Sequence, residues 1–210
     1  MNSIARSGLT LAAIAAICTL IVVVTWQTTR NQIVANERAW LEQSLVPALG
    51  DVEFDSGLLE SRIDIPEPHE LPAAGPATVY RVYSDGKPAA ALFVLTARDG
   101  YAGPIRFLLG LRYDGRVTGI RILEHRETPG LGDFIEAAKS DWGLQFTGRS
   151  LGDPAITGWA IRADEGEFDQ LTGASVTPRA IIKAMQRTLL YFDANRDTVF
   201  AASASQGSAP

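Results

Sequence analysis

Polar and apolar positions along the chain change period several times. The first run is unbroken: Gly8 to Trp26 is 19 residues without a charge. As a helix rising about 1.5 Å per residue it reaches roughly 30 Å, the thickness of a bilayer core. Arg6 and Arg30 flank the run, and Trp26 stands where an interfacial aromatic belongs. It ends in Thr25-Trp26-Gln27-Thr28-Thr29-Arg30 with no small-x-small cleavage pattern, so an uncleaved anchor is expected rather than a signal peptide. Ile17 is bulky where a lipoprotein site has a small residue, and Cys18 reads as an inert membrane thiol. Gly8, Ala12 and Ala16 put small residues on one helix face, either a docking stripe for another membrane helix or simple alanine richness. Asn31 to Leu45 keeps a helical pattern, and Pro47 with Gly50 is expected to end it. Asp51 to Pro76, with Pro66, Pro68, Pro72 and Pro76, reads as an extended connection with a solvated His69.

Strand-like patterns follow. Thr78 to Tyr83 precedes an Asp85-Gly86 turn, and Ala89 to Thr96 is an apolar run suited to a buried strand. Ile105 to Tyr113 and Val117 to Leu123 flank Asp114-Gly115, a hairpin signal. Asp133 to Lys139 predicts a short helix, with Asp133 and Glu136 at capping-box spacing. Gly158 to Ala163 is a further strand candidate. Thr177 to Asp193 predicts a helix capped by Thr177, with Pro178 in its first position and Ile181, Met185, Thr188, Leu189 and Phe192 on one face. The tail from Ala202 is small and polar, and disorder is expected there. The reading is α+β: residues 1–7 cytoplasmic, a transmembrane helix over 8–28, a juxtamembrane helix and linker over 29–76, an antiparallel sheet with packed helices over 77–198, and a tail over 199–210.

Composition narrows the chemistry. Hydrophobic residues are 46% and charged residues 20%, enough for a packed core. A net charge of −5 without a basic stripe argues against nucleic acid. One cysteine and two histidines cannot build an Fe–S cluster, a zinc site or a bis-histidine haem array, so any redox chemistry needs an organic cofactor. No Gly-x-Gly-x-x-Gly fingerprint for NADH is present.

Two segments carry candidate chemistry. In Asp169-Gln170-Leu171-Thr172-Gly173-Ala174-Ser175-Val176-Thr177-Pro178, three hydroxyls lie within six residues, beside small residues and at a helix start. Gly173 and Ala174 let a bulky group approach the backbone, and a helix start offers unpaired N–H groups to a phosphate. Arg179 in the first turn would assist a bound anion. The plain alternative is an ordinary capped turn. In Glu124-His125-Arg126-Glu127-Thr128-Pro129-Gly130-Leu131-Gly132, Pro129-Gly130 fits the centre of a type II turn, which could lay backbone against a flat ring or be only a turn. His125 alone reads as a strand-end or surface histidine.

The first segment resembles the flavinylation motif of the FMN-binding domain family, Asp-x-x-(Ser/Thr)-Gly-Ala-Thr. Glu-Thr-Pro-Gly-Leu-Gly at 127–132 resembles a second signature of the same family, found in the RnfG component of the Rnf (Rsx) complex and the NqrC component of the sodium-pumping NADH:quinone reductase. Both segments occur in order behind one N-terminal anchor, and the first looks closer to the Rnf protein.

The resemblance implies FMN joined by a phosphodiester to Ser175, where serine replaces the usual threonine, with Thr172 and Thr177 as fallback acceptors. It places Thr172, Gly173, Ala174, Thr177, Glu127, Thr128, Gly130 and Leu131 near the flavin. It further implies maturation by a flavin transferase, partners among the other subunits of a membrane electron-transport complex, and residence in a bacterial inner membrane with the soluble domain on the periplasmic side. The ion moved, sodium or proton, stays open. The alternatives are an unflavinylated structural component of such a complex and a serine hydrolase. The second lacks a full Gly-x-Ser-x-Gly elbow because Thr177 holds the last glycine position.

Overall fold

The computed structural model describes residues 3–55 and 57–201; for 3–7, 10, 27 and 29–42 the backbone alone is described. The expected disordered tail from Ala202 lies outside these residues. The chain divides into two units, Met1–Leu41 and Glu42–Pro210.

From Ser3 on, the first unit is helical and forms most of α1 (Ser3–Leu49). Its apolar side chains, Leu11, Ile14, Ile17, Leu20 and Val22 among them, stand exposed. The hydroxyls of Thr19 and Thr28 turn back onto the carbonyls of Ala15 and Val24, at 2.8 and 3.0 Å, which spares the helix surface polar groups. Among the described residues no helix is long and apolar enough to cross a membrane.

In the second unit, α1 runs past Asn31–Leu45 to Leu49 and carries Pro47 inside its last turn. Gly50, in the left-handed region at φ +62°, makes the stop. Five antiparallel strands follow in the order of the sequence: β1 (Arg62–Ile65), β2 (Ala77–Ser84), β3 (Lys87–Ala97), β4 (Ile105–Arg112) and β5 (Val117–Glu124). β1 corrects the expected plain connection over Asp51–Pro76. It is a short edge strand whose Arg62–Asp64 pair faces solvent while Ile63 is buried. Charges are what an edge strand requires to stay unpaired, and they hide it in the sequence.

The central strands are buried on both faces, so the apolar run at Ala89–Thr96 is a strand. Ala91, Phe93 and Leu95 face one core with Phe107 and Leu109; Ala90 and Leu92 face the other with Leu108. The second face is covered by Leu45, Ala48 and Leu49 of α1. At Gly110 this covering is so close that a Cβ would sit 2.2 Å from the Ala48 carbonyl oxygen. The first face is covered by α2 (Val176–Ala201) and by the loops between β5 and α2. Ile181, Met185, Thr188, Leu189 and Phe192 are all buried, with Phe192 edge-on to Phe93 at 5.8 Å. α2 continues beyond Asp193 because the sheet grips its last turns: Tyr113 donates to Asp197 at 2.9 Å, and Tyr83 and Tyr113 pack on Phe200.

Two other expectations fail for local reasons. Asp133–Lys139 is no capped helix; only a 3₁₀ turn at Asp133–Ile135 forms, and Asp133 takes Lys139 as partner instead of a backbone cap. Gly158–Ala163 is not a strand. Its alternation serves an aromatic cluster in which Trp159 meets Phe168 at 4.9 Å and Phe146 lies 4.7 Å from Phe168. The backbone there folds onto its own neighbours, with Phe168 donating to Ala160 and Arg162 to Phe168.

Candidate functional site

Two turns build the site. In Leu171–Ala174 the Ala174 N–H donates to the Leu171 carbonyl at 3.0 Å, with Gly173 at φ +86° in the third position. In Thr128–Leu131 the Leu131 N–H donates to the Thr128 carbonyl at 3.1 Å, with Gly130 at φ +75°. Both are type II geometry, which requires a positive φ at that position. The turns meet: a Cβ on Gly173 would lie 3.8 Å from Leu131 Cδ1. Between them and the start of α2 lies a cavity of about 130 Å³.

The start of α2 is shifted from the expected cap at Thr177. The first helical bond runs from Arg179 N–H to the Ser175 carbonyl at 3.3 Å, so Ser175 occupies the N-cap and Pro178 the third helical position. The amides of Ser175, Val176 and Thr177 precede the helical ladder, and Pro178 has none to offer. Ser175 is half-buried at the cavity, and its hydroxyl makes no hydrogen bond among the described residues.

Thr177 is buried, and its hydroxyl donates to Glu127 Oε2 in a short contact. Glu127 is only 4% exposed, and its other oxygen accepts the Ala102 N–H at 3.1 Å. Gly132 permits this: a Cβ there would come to 2.8 Å from both Glu127 Cβ and Oε2.

His125 is packed in beneath rather than set at the surface. Its Nδ1 accepts the Glu127 N–H at 3.1 Å, which leaves Nε2 to donate to Glu136 Oε1 at 2.9 Å. Lys139 joins Glu136 and Asp133 at 2.8 and 2.6 Å. The Lys139 ammonium holds both carboxyls below their ordinary range; a Gly130 backbone N–H assists at Asp133 and His125 assists at Glu136. Both carboxylates push Lys139 up in turn. Arg179 is not aimed at the cavity: its guanidinium is committed to Asp164 by two bonds of 2.6 and 2.8 Å.

Of the sequence-predicted residues, Ser175, Gly173, Ala174, Thr177, Glu127, Thr128 and Leu131 line the cavity. Thr172 and Gly130 sit at the turn corners outside its lining. Tyr101, Gly132 and Val176 line it without having been expected. Gly132 closes the second motif, so its place in the sequence was a sufficient signal. Tyr101, 70% exposed, sits in the glycine-flanked Gly100–Gly103 loop, where an aromatic between two glycines is the one signal available.

Comparison with known proteins gives this geometry a context. The FMN-binding domain family model matches residues 100–190, a span that holds every residue lining the cavity, and the RnfG N-terminal region matches 1–46. The G subunit of the ion-translocating oxidoreductase complex of Pseudomonas aeruginosa is 39% identical over 206 residues, 98% of this chain and 96% of the relative. The protein of the same description from Shewanella amazonensis is 40% identical over 195 residues, 93% and 91% of the two chains. The solved structure of Shewanella oneidensis NqrC gives a TM-score of 0.45 at 20% identity, covering 74% of this chain and 81% of that one. The likeness to these G subunits runs from one end of the sequence to the other, and the chain therefore belongs to the RnfG family of ion-translocating oxidoreductase complexes.

Proposed function

We propose that this chain is the electron-carrying component of a membrane complex that couples electron transfer of the NADH–ferredoxin type to ion translocation. It carries one FMN by phosphodiester on Ser175. The observation that supports this most is the meeting of two motifs about 45 residues apart in sequence at one cavity, with a serine hydroxyl at its edge.

The residues present fit such a group. Ser175 supplies an alcohol without a competing hydrogen bond, next to amides that precede the helical ladder. In maturation its Oγ forms a bond to the FMN-side phosphorus of FAD as the pyrophosphate bond breaks; AMP and the hydroxyl proton depart. Serine performs this chemistry as threonine does, with less crowding. Gly173 leaves the turn open to a group attached at Ser175. The cavity, at about 130 Å³, is below the roughly 300 Å³ at which pockets begin to enclose a small molecule. A group held there gains little from burial, which is what a covalent tether makes unnecessary. When bound, FMN supplies one- and two-electron redox chemistry, and the protein sets its surroundings. A transmembrane helix over 8–28, built on the charge-free run Gly8–Trp26, anchors the domain to the inner membrane with residues 1–7 on the cytoplasmic side and the folded unit on the periplasmic side, where a tether prevents loss of the cofactor.

The test is intact and peptide mass spectrometry on full-length chain made with its flavin transferase. A gain of one FMN less one water on the Ser175 peptide is expected. It should vanish in Ser175→Ala and survive in Thr172→Ala. An unmodified peptide from assembled native complex overturns the covalent reading, and flavin retained in Ser175→Ala moves the attachment elsewhere.

A further inference from the structure

A second and larger cavity, about 270 Å³, is walled by the loop before β2, the end of β3 and the middle of α2. None of its residues belongs to either flavin motif. Its lining carries three cations, Arg98, Lys183 and Arg187, against two carboxylates, Glu67 and Asp99. Arg98 donates from Nη2 to the Ala73 carbonyl at 2.7 Å, and Arg187 from Nη2 to the Glu70 carbonyl at 2.8 Å. Both acceptors are neutral. Among the described residues, neither guanidinium has a carboxylate within 4 Å, so each is held in place by a neutral acceptor with further N–H donors unspent. Lys183 adds a third cation, paired with Asp99 at 2.9 Å. Asp99 reports the sign of the field, since its carboxyl is held low first by Lys183 and additionally by Arg187.

His69 completes the lining, and it is not the solvated linker histidine expected from its proline-rich neighbourhood. Its Nε2 lies 3.0 Å from the Gly75 carbonyl and must donate to it. That leaves Nδ1, which is buried and has no partner. Buried polar atoms in folded proteins are rarely left so.

We propose that this cavity binds a phosphoryl oxyanion, gripped by Arg98 and Arg187. Guanidinium groups favour phosphate oxygens through charge-assisted bonds. The oxyanion can come from a soluble phosphate or from an anionic lipid headgroup.

The full chain in phosphatidylcholine nanodiscs, titrated calorimetrically with inorganic phosphate at fixed ionic strength, tests this. Saturable binding is expected, weakened about tenfold or more in Arg98→Gln and in Arg187→Gln. Arg98→Lys and Arg187→Lys, which keep the charge, should bind more tightly than the Gln variants, and unchanged thermal unfolding separates lost binding from lost fold. Sub-micellar dihexanoyl phosphatidylglycerol displacing phosphate at lower concentration than phosphate itself would mark a headgroup as the source. Failure to displace it would mark a soluble phosphate. Equal affinity in wild type and both folded Gln variants, or heat no different from that of chloride, overturns the proposal.

Discussion

Within about three turns, helix α2 borders two cavities of opposite construction. At its first residues, Val176 and Thr177 close a pocket containing a buried carboxylate, Glu127, with no cation paired to it among the described residues. Farther along, Lys183 and Arg187 border a pocket containing two guanidinium groups with no carboxylate paired to them among those residues. In the first pocket the charge is already spent, on the Thr177 hydroxyl and the Ala102 amide. Arg179, in the first turn of α2, is spent on Asp164. On the proposed reading, a phosphate there would meet amides and hydroxyls only, and a covalent tether would supply the retention that an ionic grip does not. In the second pocket Lys183 is spent on Asp99, but the two guanidinium groups have only carbonyl partners, which suits a ligand that comes and goes. On the two proposals, the difference separates a site for attachment from a site for exchange.

The largest break in this contrast should come from Gly132→Ala. The added methyl falls within 2.8 Å of Glu127 and 3.3 Å of Thr177 Oγ1, and neither can yield without giving up their mutual bond. Flavin incorporation, followed by in-gel fluorescence, is expected to fall to background, and stability by about 1–3 kcal/mol. Phosphate binding at the second cavity should persist. Full incorporation in a stably folded Gly132→Ala would show that the first cavity does not depend on this packing.

A smaller effect should follow from removing the Glu127–Thr177 bond. Glu127→Ala orphans the Ala102 N–H as well as the Thr177 hydroxyl and should cost about 1–3 kcal/mol in denaturant unfolding. Thr177→Val should cost less alone. Their double-mutant cycle should give a coupling of about 0.5 kcal/mol or more. Additive losses would mean that the carboxylate is held mainly by Ala102, and that the two motifs are joined by less than the geometry suggests.

The two cavities also differ in how far they can be read from the sequence. The first is made of local features: a glycine third in each of two turns, a serine before a helix, small residues where a group must approach. Each is visible within ten residues, and only Tyr101, delivered by a loop between strands, has no strong signature. The second is assembled from 67–73, 96–99 and 180–187, brought together by the sheet and α2. His69, Arg98 and Arg187 each look like ordinary surface residues in sequence, and only the fold makes them neighbours. The same division holds for the architecture. β3 and the buried face of α2 were legible because period and burial agree, whereas β1 is too short and charged, and Trp159 and Ile161 alternate for an aromatic cluster that the alternation alone cannot distinguish from a sheet.

The smallest effect should separate the charge pairs that flank the two sites. Lys139 lowers the carboxyls of Asp133 and Glu136 beside the first; Lys183 lowers that of Asp99 beside the second. A carboxyl whose folded value is depressed contributes stability above its unfolded value and loses it as pH falls through the folded one. The ordinary values are 3.8 for Asp and 4.5 for Glu. Lys139→Met and Lys183→Met should therefore lower the unfolding temperature at neutral pH, and each difference from wild type should shrink as pH drops below that range. On the alkaline side Lys139, raised above 10.5, should keep its contribution up to that pH and lose it beyond. Lys139→Met should be the more damaging, because the Asp133 side chain is 8% exposed and the Asp99 side chain 67%; water and salt screen the second pair far more. A larger loss in Lys183→Met would mean that Lys183 does more than pair with Asp99, as it would if the charge of the second cavity also supports the helix that carries it.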